Sequence, residues 1–207
     1  MLTIWGRLNS HNTKKVVWAA VEAGIDWERR DMGGAFGYTP DYLAHNPNRL
    51  VPAIQQGDFW LWESNAILRY IADAHAPHLW AGTPAQRAQA DKWLDWQFTF
   101  ADAQREGFLQ MVRVAAPDRD MAKIARTTQE TAKLMAIMDA ALADQPYLSG
   151  ADFGIGDIGM ATYTNTWLKL GFDRDGDGAP LAVPHVRDWF ARVSQRPGFA
   201  AIDIPLT

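Results

Sequence analysis

The spacing of apolar residues divides the chain into a first part with strands and helices and a second part with helices alone. Residues 2–5 and 25–31 have strand-like patterns, and residues 12–23 between them have helical spacing that stops at Gly24. Residues 53–55 and 59–62 predict a hairpin around Gly57 and Asp58, and helical spacing resumes at residue 64. A short helix is predicted around residues 41–44.

The predicted order β-α-β-α-β-β-α occupies residues 1–76 and defines an α/β domain. Its first strand, helix and second strand form a βαβ unit with a right-handed crossover. Proline and glycine at residues 77–83 predict a linker. Long helical patterns then fill residues 84–207, and this change of class predicts a second, all-helical domain.

A proline that interrupts the sheet precedes the hairpin. Pro52 has no N–H and cannot donate to a ladder. If the Val51–Pro52 bond is cis, the N–H and C=O of Val51 can turn outward and pair with an extended peptide. The segment therefore predicts a binding edge for a peptide backbone.

An acid and a hydroxyl residue open the helix after the hairpin. Ser64 is its predicted N-cap, and the N–H groups of the first turn favour an anion. Glu63 is suited to an ammonium group, so the pair fits the head of an α-amino acid. An ordinary capped helix is the structural alternative, because short motifs recur by chance.

A second loop with hydroxyl and amide side chains joins the first strand to the first helix. Ser10 and Asn12 lie where a helix N-terminus can stabilise an anion. Both residue types are also common N-caps, and position alone favours capping.

Together these segments resemble the cytosolic glutathione transferase family, in its bacterial, serine-type, theta-like form. Residues 64–68 spell the family's Ser-Asn-Ala-Ile-Leu signature, and the likeness covers essentially the whole chain. It implies a thioredoxin-like first domain, a helical second domain, and glutathione as co-substrate. It also implies that the backbone at Val51 and Pro52 pairs with the cysteinyl unit, while Glu63 and Ser64 hold the γ-glutamyl head.

The same resemblance assigns thiol chemistry to the serine loop. Ser10 aligns with the catalytic serine, and Asn12 is its assistant or its rival for the sulfur. A free thiol titrates near pH 8.5, and a charge-assisted hydrogen bond of about 1.5–3 kcal/mol lowers its pKa by about one to two units. That shift makes the thiolate the major form at neutral pH.

The glycyl end of the ligand is less well specified. Arg49-Leu50 stand where the family commonly has Gly-Lys or Gly-Arg, so the basic residue is displaced by one position. Arg49 is the first candidate for the glycyl carboxylate, and His45 and Lys14 are alternatives.

The resemblance also implies a pocket for a small hydrophobic electrophile. It would involve the loops around Leu8 and Phe36, and a helix face with Trp96 and Phe100. Aromatic residues at helical spacing are more often core than pocket, so packing is the alternative. A homodimer is implied as well.

Composition excludes several classes of function. The absence of cysteine removes thiol-dependent branches of the family, and a net charge of −4 without a charged block argues against nucleic acid. No apolar run approaches the roughly 20 residues of a membrane span, and no signal segment is found, so cytoplasmic residence is expected. Residues 173–178 resemble the start of a calcium loop, but Pro184 occupies the position of the bidentate Glu, so no metal is expected.

Two alternatives to conjugation stay open. The same fold supports glutathione-dependent isomerases, dehalogenases and peroxidases. A non-catalytic binding or scaffold protein is the alternative of a different class, although a scaffold has no need of Val51-Pro52 and Glu63-Ser64.

Overall fold

The computed structural model describes residues 1–80 and 82–206, which separate into two compact units. The first comprises Met1–Gly82 and Gln195–Ile204, and the second comprises Thr83–Ser194 with the last residues from Pro205. Within the predicted linker, Pro77–Trp80 forms a 3-10 helix, and position 81 lies outside the described residues. The predicted α/β order followed by helices is confirmed.

The first unit is a four-stranded sheet with helices. Its strands run in the order β2-β1-β3-β4, with β1 parallel to β2 and the other two pairs antiparallel. The elements are β1 (Leu2–Trp5), α1 (His11–Glu22), β2 (Trp27–Arg30), a 3-10 helix (Gly34–Phe36), α2 (Pro40–His45), β3 (Ala53–Gln56), β4 (Phe59–Trp62) and α3 (Ser64–His75).

Apolar burial explains why these elements assemble. The centre of α1, residues 16–20, is buried, and so are Leu2 and Ile4 of β1 and Ile67 and Ile71 of α3. Alternate residues of a strand point to opposite faces, so Trp5 lies on the other face of the sheet, where its ring stacks on Trp60 at 5.6 Å between centroids. The sheet therefore carries packed side chains on both faces.

A helix that the sequence patterns did not predict completes this unit. It is α8 (Pro197–Ile202), and Phe199 packs edge-on against Trp18 of α1, 5.5 Å between ring centroids. Arg196 pairs with Glu22 at 2.7 Å. A side chain at Gly198 would meet the Trp18 ring at 2.1 Å, which explains the glycine. Gln195–Ile204 thus folds with the first unit, whereas the predicted helical domain ran from residue 84 through residue 207.

The second unit is built from four further helices. These are α4 (Pro84–Arg113), α5 (Met121–Leu142), α6 (Ile155–Lys169) and α7 (Pro184–Val193), with a 3-10 helix at Ala116–Asp118. Helix α6 is buried continuously over residues 155–167 and packs against α4. Proline at the first turn and a Thr83 capping box begin α4, as helix start signals predict.

A buried carboxylate fixes the start of α6. Asp157 accepts hydrogen bonds from the N–H of Leu148 at 2.7 Å, of Gly154 at 3.0 Å and of Ser149 at 3.3 Å, and from the Trp189 indole at 2.8 Å. Burial raises the pKa of Asp157, while these donors oppose the rise. The predicted hydrogen bond from a backbone N–H to Asp157 is confirmed, and the structural role of this carboxylate stays a prediction.

Neither a membrane span nor a metal cluster is found in the described part of the chain. None of its helices is long and apolar enough to cross a bilayer, and no three acidic or histidine side chains are grouped to hold an ion. In the loop that resembles a calcium site, Asp173 pairs with Arg187 at 2.9 Å. Asp175 accepts the N–H groups of Asp177 and Ala179, so its carboxylate stabilises the loop.

Candidate functional site

One cleft in the first unit brings together both predicted ligand-binding segments and one residue of the serine loop. It is lined by Asn12, Asn46, Asn48, Leu50, Val51, Pro52, Trp62, Glu63 and Ser64. These residues come from the start of α1, the loop before β3, and the junction of β4 with α3. We call it the asparagine cleft, after the three asparagines in its wall.

The backbone at Val51 forms one wall of the asparagine cleft. The Val51–Pro52 bond is cis, as predicted. Over residues 1–80 and 82–206, neither the N–H nor the C=O of Val51 has a hydrogen-bond partner. Val51 comes just before β3, a central strand of the sheet, so these unpaired groups lie at the end of a strand, where the backbone of an extended peptide can pair with them.

A buried asparagine holds the loop that leads to Val51. The Asn46 amide donates to the Leu50 C=O and to the Tyr42 hydroxyl, both at 3.0 Å, and accepts the Asn48 N–H at 3.2 Å. Burial raises the pKa of Tyr42 to about 12, so its hydroxyl stays protonated and donates to Leu50. Sequence reasoning gave Asn46 no role, although the turn signal of Asn46-Pro47 could have found it.

The start of α3 differs from the prediction in one respect. Glu63, not Ser64, is the N-cap, and Ser64 is the first helical residue. Glu63 has a φ of 72°, which an L-residue with a long side chain rarely adopts. Its carboxylate is exposed, whereas Ser64 is 4% exposed. An anion-accepting helix start and an exposed acid therefore lie side by side.

Ser10 is the N-cap of α1, in agreement with the capping interpretation. Its oxygen accepts the N–H of Thr13 at 3.4 Å. A hydroxyl has two acceptor lone pairs and one proton to donate. Capping uses a lone pair, and no acceptor for the hydroxyl proton is found in the described chain. Capping and donation to a thiolate are thus compatible.

Asn12 contributes an unsatisfied polar atom to the cleft. Its Oδ1 is buried and has no hydrogen-bond partner among the described residues. Buried polar atoms without partners are uncommon and costly, by about 1–3 kcal/mol each. This oxygen is therefore available to accept a hydrogen bond from an N–H or O–H group of a bound ligand.

Gly6 brings the serine loop close to Val51. An added Cβ would lie 2.5 Å from the Thr13 hydroxyl oxygen and 3.3 Å from the Cβ of Val51. Only glycine permits this approach without displacing a neighbour. The two segments predicted to handle the thiol and the peptide backbone are thus adjacent.

The three candidates for binding the glycyl carboxylate differ in their exposure and surroundings. Arg49 is exposed, has a φ of 56°, and does not line the asparagine cleft, whereas its neighbour Asn48 does. His45 stacks on Trp60 with ring centroids 4.3 Å apart. Lys14 is buried.

The four residues predicted for the electrophile pocket lie in both units. In the first, Leu8 is half-buried in the serine loop and Phe36 is 60% exposed in the Gly34–Phe36 3-10 helix. In the second, Trp96 is half-buried on α4 and Phe100 is fully buried, 6.4 Å from Trp96 between ring centroids. Phe100 therefore agrees with the alternative interpretation, in which an aromatic residue at helical spacing packs in the core.

Comparisons with known proteins agree with this arrangement. Residues 1–73 match the family model "Glutathione S-transferase, N-terminal domain" and residues 106–197 match "Glutathione S-transferase, C-terminal domain". Glutathione S-transferase GstB of Escherichia coli K12 is 38% identical, with 95% of each chain covered.

Two solved structures extend the comparison. The theta class glutathione S-transferase of Xanthomonas axonopodis pv. citri with glutathione bound is 43% identical, with a TM-score of 0.92 and coverage of 100% of this chain and 99% of its own. A glutathione S-transferase-I bound with lactoylglutathione is 25% identical, with a TM-score of 0.86 and 97% of each chain covered.

Proposed function

Since the chain belongs to the glutathione S-transferase family, we propose that it binds glutathione in the asparagine cleft, ionises the thiol and conjugates it to a small hydrophobic electrophile. The observation that carries the proposal is the meeting of Val51, Glu63, Ser64 and Asn12 around one cleft. Each supplies a group that one part of glutathione requires.

The groups of the cleft match the ligand in order. The exposed carboxylate of Glu63 takes the γ-glutamyl ammonium, and Ser64 with the first turn of α3 takes the adjoining carboxylate. The unpaired N–H and C=O of Val51 pair with the cysteinyl backbone. We propose Arg49 and Leu50 for the glycyl end; Leu50 lines the cleft together with Asn48, whose amide is a further candidate there.

The serine loop then acts on the sulfur. Ser10 donates its hydroxyl proton in a hydrogen bond to the thiolate, the α1 N-terminus adds positive potential, and Asn12 assists by donating from the NH2 group of its amide. The stabilised thiolate attacks the electrophilic carbon, forming a C–S bond while the leaving group departs with the electron pair. The thiol proton goes to solvent. Leu8, Phe36, Trp96 and Phe100 are the residues proposed for the electrophile side.

We also propose the wider setting that family membership suggests. Residues 1–76 form the domain that supplies the glutathione site, and residues 77–83 are the linker to the second domain. Residues 84–207 form that helical domain and contribute to the electrophile pocket. The protein would function in detoxification, in the cytoplasm, as a homodimer. A sedimentation experiment on the purified chain checks the dimer.

A calorimetric titration tests the proposed ligand. Wild-type protein should bind glutathione, and Glu63→Gln should weaken binding by about tenfold or more, because a charged hydrogen bond of about 1.5–3 kcal/mol is lost. Asp58→Asn, an exposed carboxylate in the β3–β4 turn, is the matched control and should bind as wild type does.

The same titration separates the alternative functions. No binding at millimolar glutathione would favour the scaffold and contradict the proposal. Turnover of a panel of halides, epoxides, enones and hydroperoxides then distinguishes conjugation from isomerisation, dehalogenation and peroxide reduction.

A further inference from the structure

A buried lysine, hydrogen-bonded to the residue that follows Ser64, has no role in the proposed chemistry. Lys15 lies on α1 with 0% of its surface exposed, and its Nζ donates to Oδ1 of Asn65 at 2.7 Å. Asn65 is 5% exposed and is the second residue of α3. The helical pattern alone would place a lysine on a solvated face, so sequence reasoning missed it.

Burying an amine is costly, so this lysine calls for a function. Burial lowers the pKa of Lys15 to about 7, with the Glu63 carboxylate raising it and Arg69 on α3 lowering it. On α1 itself, His11 faces the same cationic neighbourhood, and burial lowers its pKa to about 3. Strongly perturbed groups of this kind concentrate at functional sites.

The turn that Lys15 supports is strained. Glu63 and Arg49 are the only non-glycine residues with positive φ in the described part of the chain. Glu63 has no side-chain cap bond to hold it. A strained conformation persists where its surroundings fix it, and the Lys15–Asn65 bond fixes the residue two positions along the chain. The orientation of the Glu63 carboxylate and of the α3 N-terminus depends on this turn.

We propose that Lys15 is a positioning residue for glutathione binding, which acts through Asn65 to hold the Glu63–Ser64 turn in its ligand-binding geometry. The inference rests on the proposed function, because it assigns the γ-glutamyl head to that turn. In this proposal Lys15 contributes to binding of glutathione, whereas Ser10 stabilises the thiolate. Loss of Lys15 should therefore weaken glutathione binding and leave the ionised thiol, once bound, as reactive as before.

Binding of S-methylglutathione, which has no titrating thiol, tests the proposal. Lys15→Met and Asn65→Leu should each raise Kd by about tenfold or more, as expected for loss of a charged hydrogen bond. The double variant should be no weaker than either single one, because both changes break the same bond. Asn65→Asp keeps an oxygen acceptor for Lys15 and should stay within about threefold of wild type, since the bond survives.

Two further readouts exclude a merely structural role. Lys15→Met takes the Nζ donor from the buried Oδ1 of Asn65 and should lower the melting temperature, whereas the double variant Lys15→Met/Asn65→Leu removes both polar partners and should recover much of it while still binding S-methylglutathione weakly. With an aryl halide, KM for glutathione should rise while kcat at saturation stays within about twofold.

Each contrary result has a distinct meaning. Wild-type Kd in a folded Lys15→Met, additive losses in the double variant, or a fall in kcat equal to the rise in KM would overturn the role of Lys15. If Lys15→Met does not fold, the proposal is tested by comparing Kd for S-methylglutathione between Asn65→Leu and Asn65→Asp. Equal Kd values for these two variants would overturn it. Failure of the wild type itself to bind would overturn the proposed function and this inference with it.

Discussion

Replacing Ser10 by alanine is expected to reduce conjugation of glutathione to an aryl halide by about tenfold to a hundredfold at neutral pH. The lost hydrogen bond to the thiolate represents about 1.5–3 kcal/mol, and each 1.36 kcal/mol is tenfold in rate. The pH profile of kcat/KM for the aryl halide, measured at saturating glutathione, should shift upward by about one to two pH units, because the pKa of the bound glutathione thiol rises by that amount. Steady-state rates between pH 5.5 and 9 measure both effects.

Two variants separate this role from capping, which Ser10 also performs. Ser10→Thr keeps the cap and the hydroxyl proton and should retain activity. Ser10→Asp keeps the cap, a preference that aspartate shares with serine, but offers the sulfur a negative charge and should be as impaired as Ser10→Ala. Full activity in Ser10→Asp would contradict donation by Ser10. A larger loss in Asn12→Ala than in Ser10→Ala would make Asn12 the main thiolate stabiliser.

Replacing Asp157 by alanine is expected to lower the free energy of unfolding by about 3–5 kcal/mol, because four buried or partly buried N–H donors lose their acceptor. These donors tie the loop before α6 to its first turn and to Trp189 of α7. Denaturant unfolding followed by tryptophan fluorescence measures the change. It is a large fraction of the roughly 5–15 kcal/mol that stabilise a typical domain.

Asp152→Ala is the matched control, since this neighbouring carboxylate is exposed. It should change the free energy of unfolding by no more than about 0.5 kcal/mol, as is usual at the surface. A loss below about 1 kcal/mol in Asp157→Ala would show that the network does not stabilise the fold.

The element order of the first unit was predictable because its apolar periodicity changes clearly between strands and helices. The hairpin followed from Gly57 and Asp58, and burial within α3 followed from its apolar stripe. Asp157 was predictable because a carboxylate three residues into a helix reaches the N–H of the N-cap.

Errors arose where distant contacts decide local structure. Capping preference predicted Ser64 as the N-cap, but the cap is Glu63, whose positive φ is a property of its surroundings. Helix α8 joins the first unit through Arg196 and Glu22, which are 174 positions apart. No local pattern encodes such a pair.

The candidate site was predictable as a set of segments and not as a geometry. Val51, Glu63 and Ser64 were identified from short motifs, and they do line one cleft with Asn12. The supporting residues Lys15 and Asn46 were missed, because a buried lysine and a buried asparagine look like surface residues in a sequence.

Ultraviolet titration of the bound glutathione thiolate tests the central claim most directly. With wild-type protein at saturating glutathione, the thiol should titrate with a pKa of about 6.5–7.5, below the value near 8.5 of a free thiol. A bound thiol that still titrates near 8.5 would contradict the claim that the cleft and the serine loop together ionise glutathione.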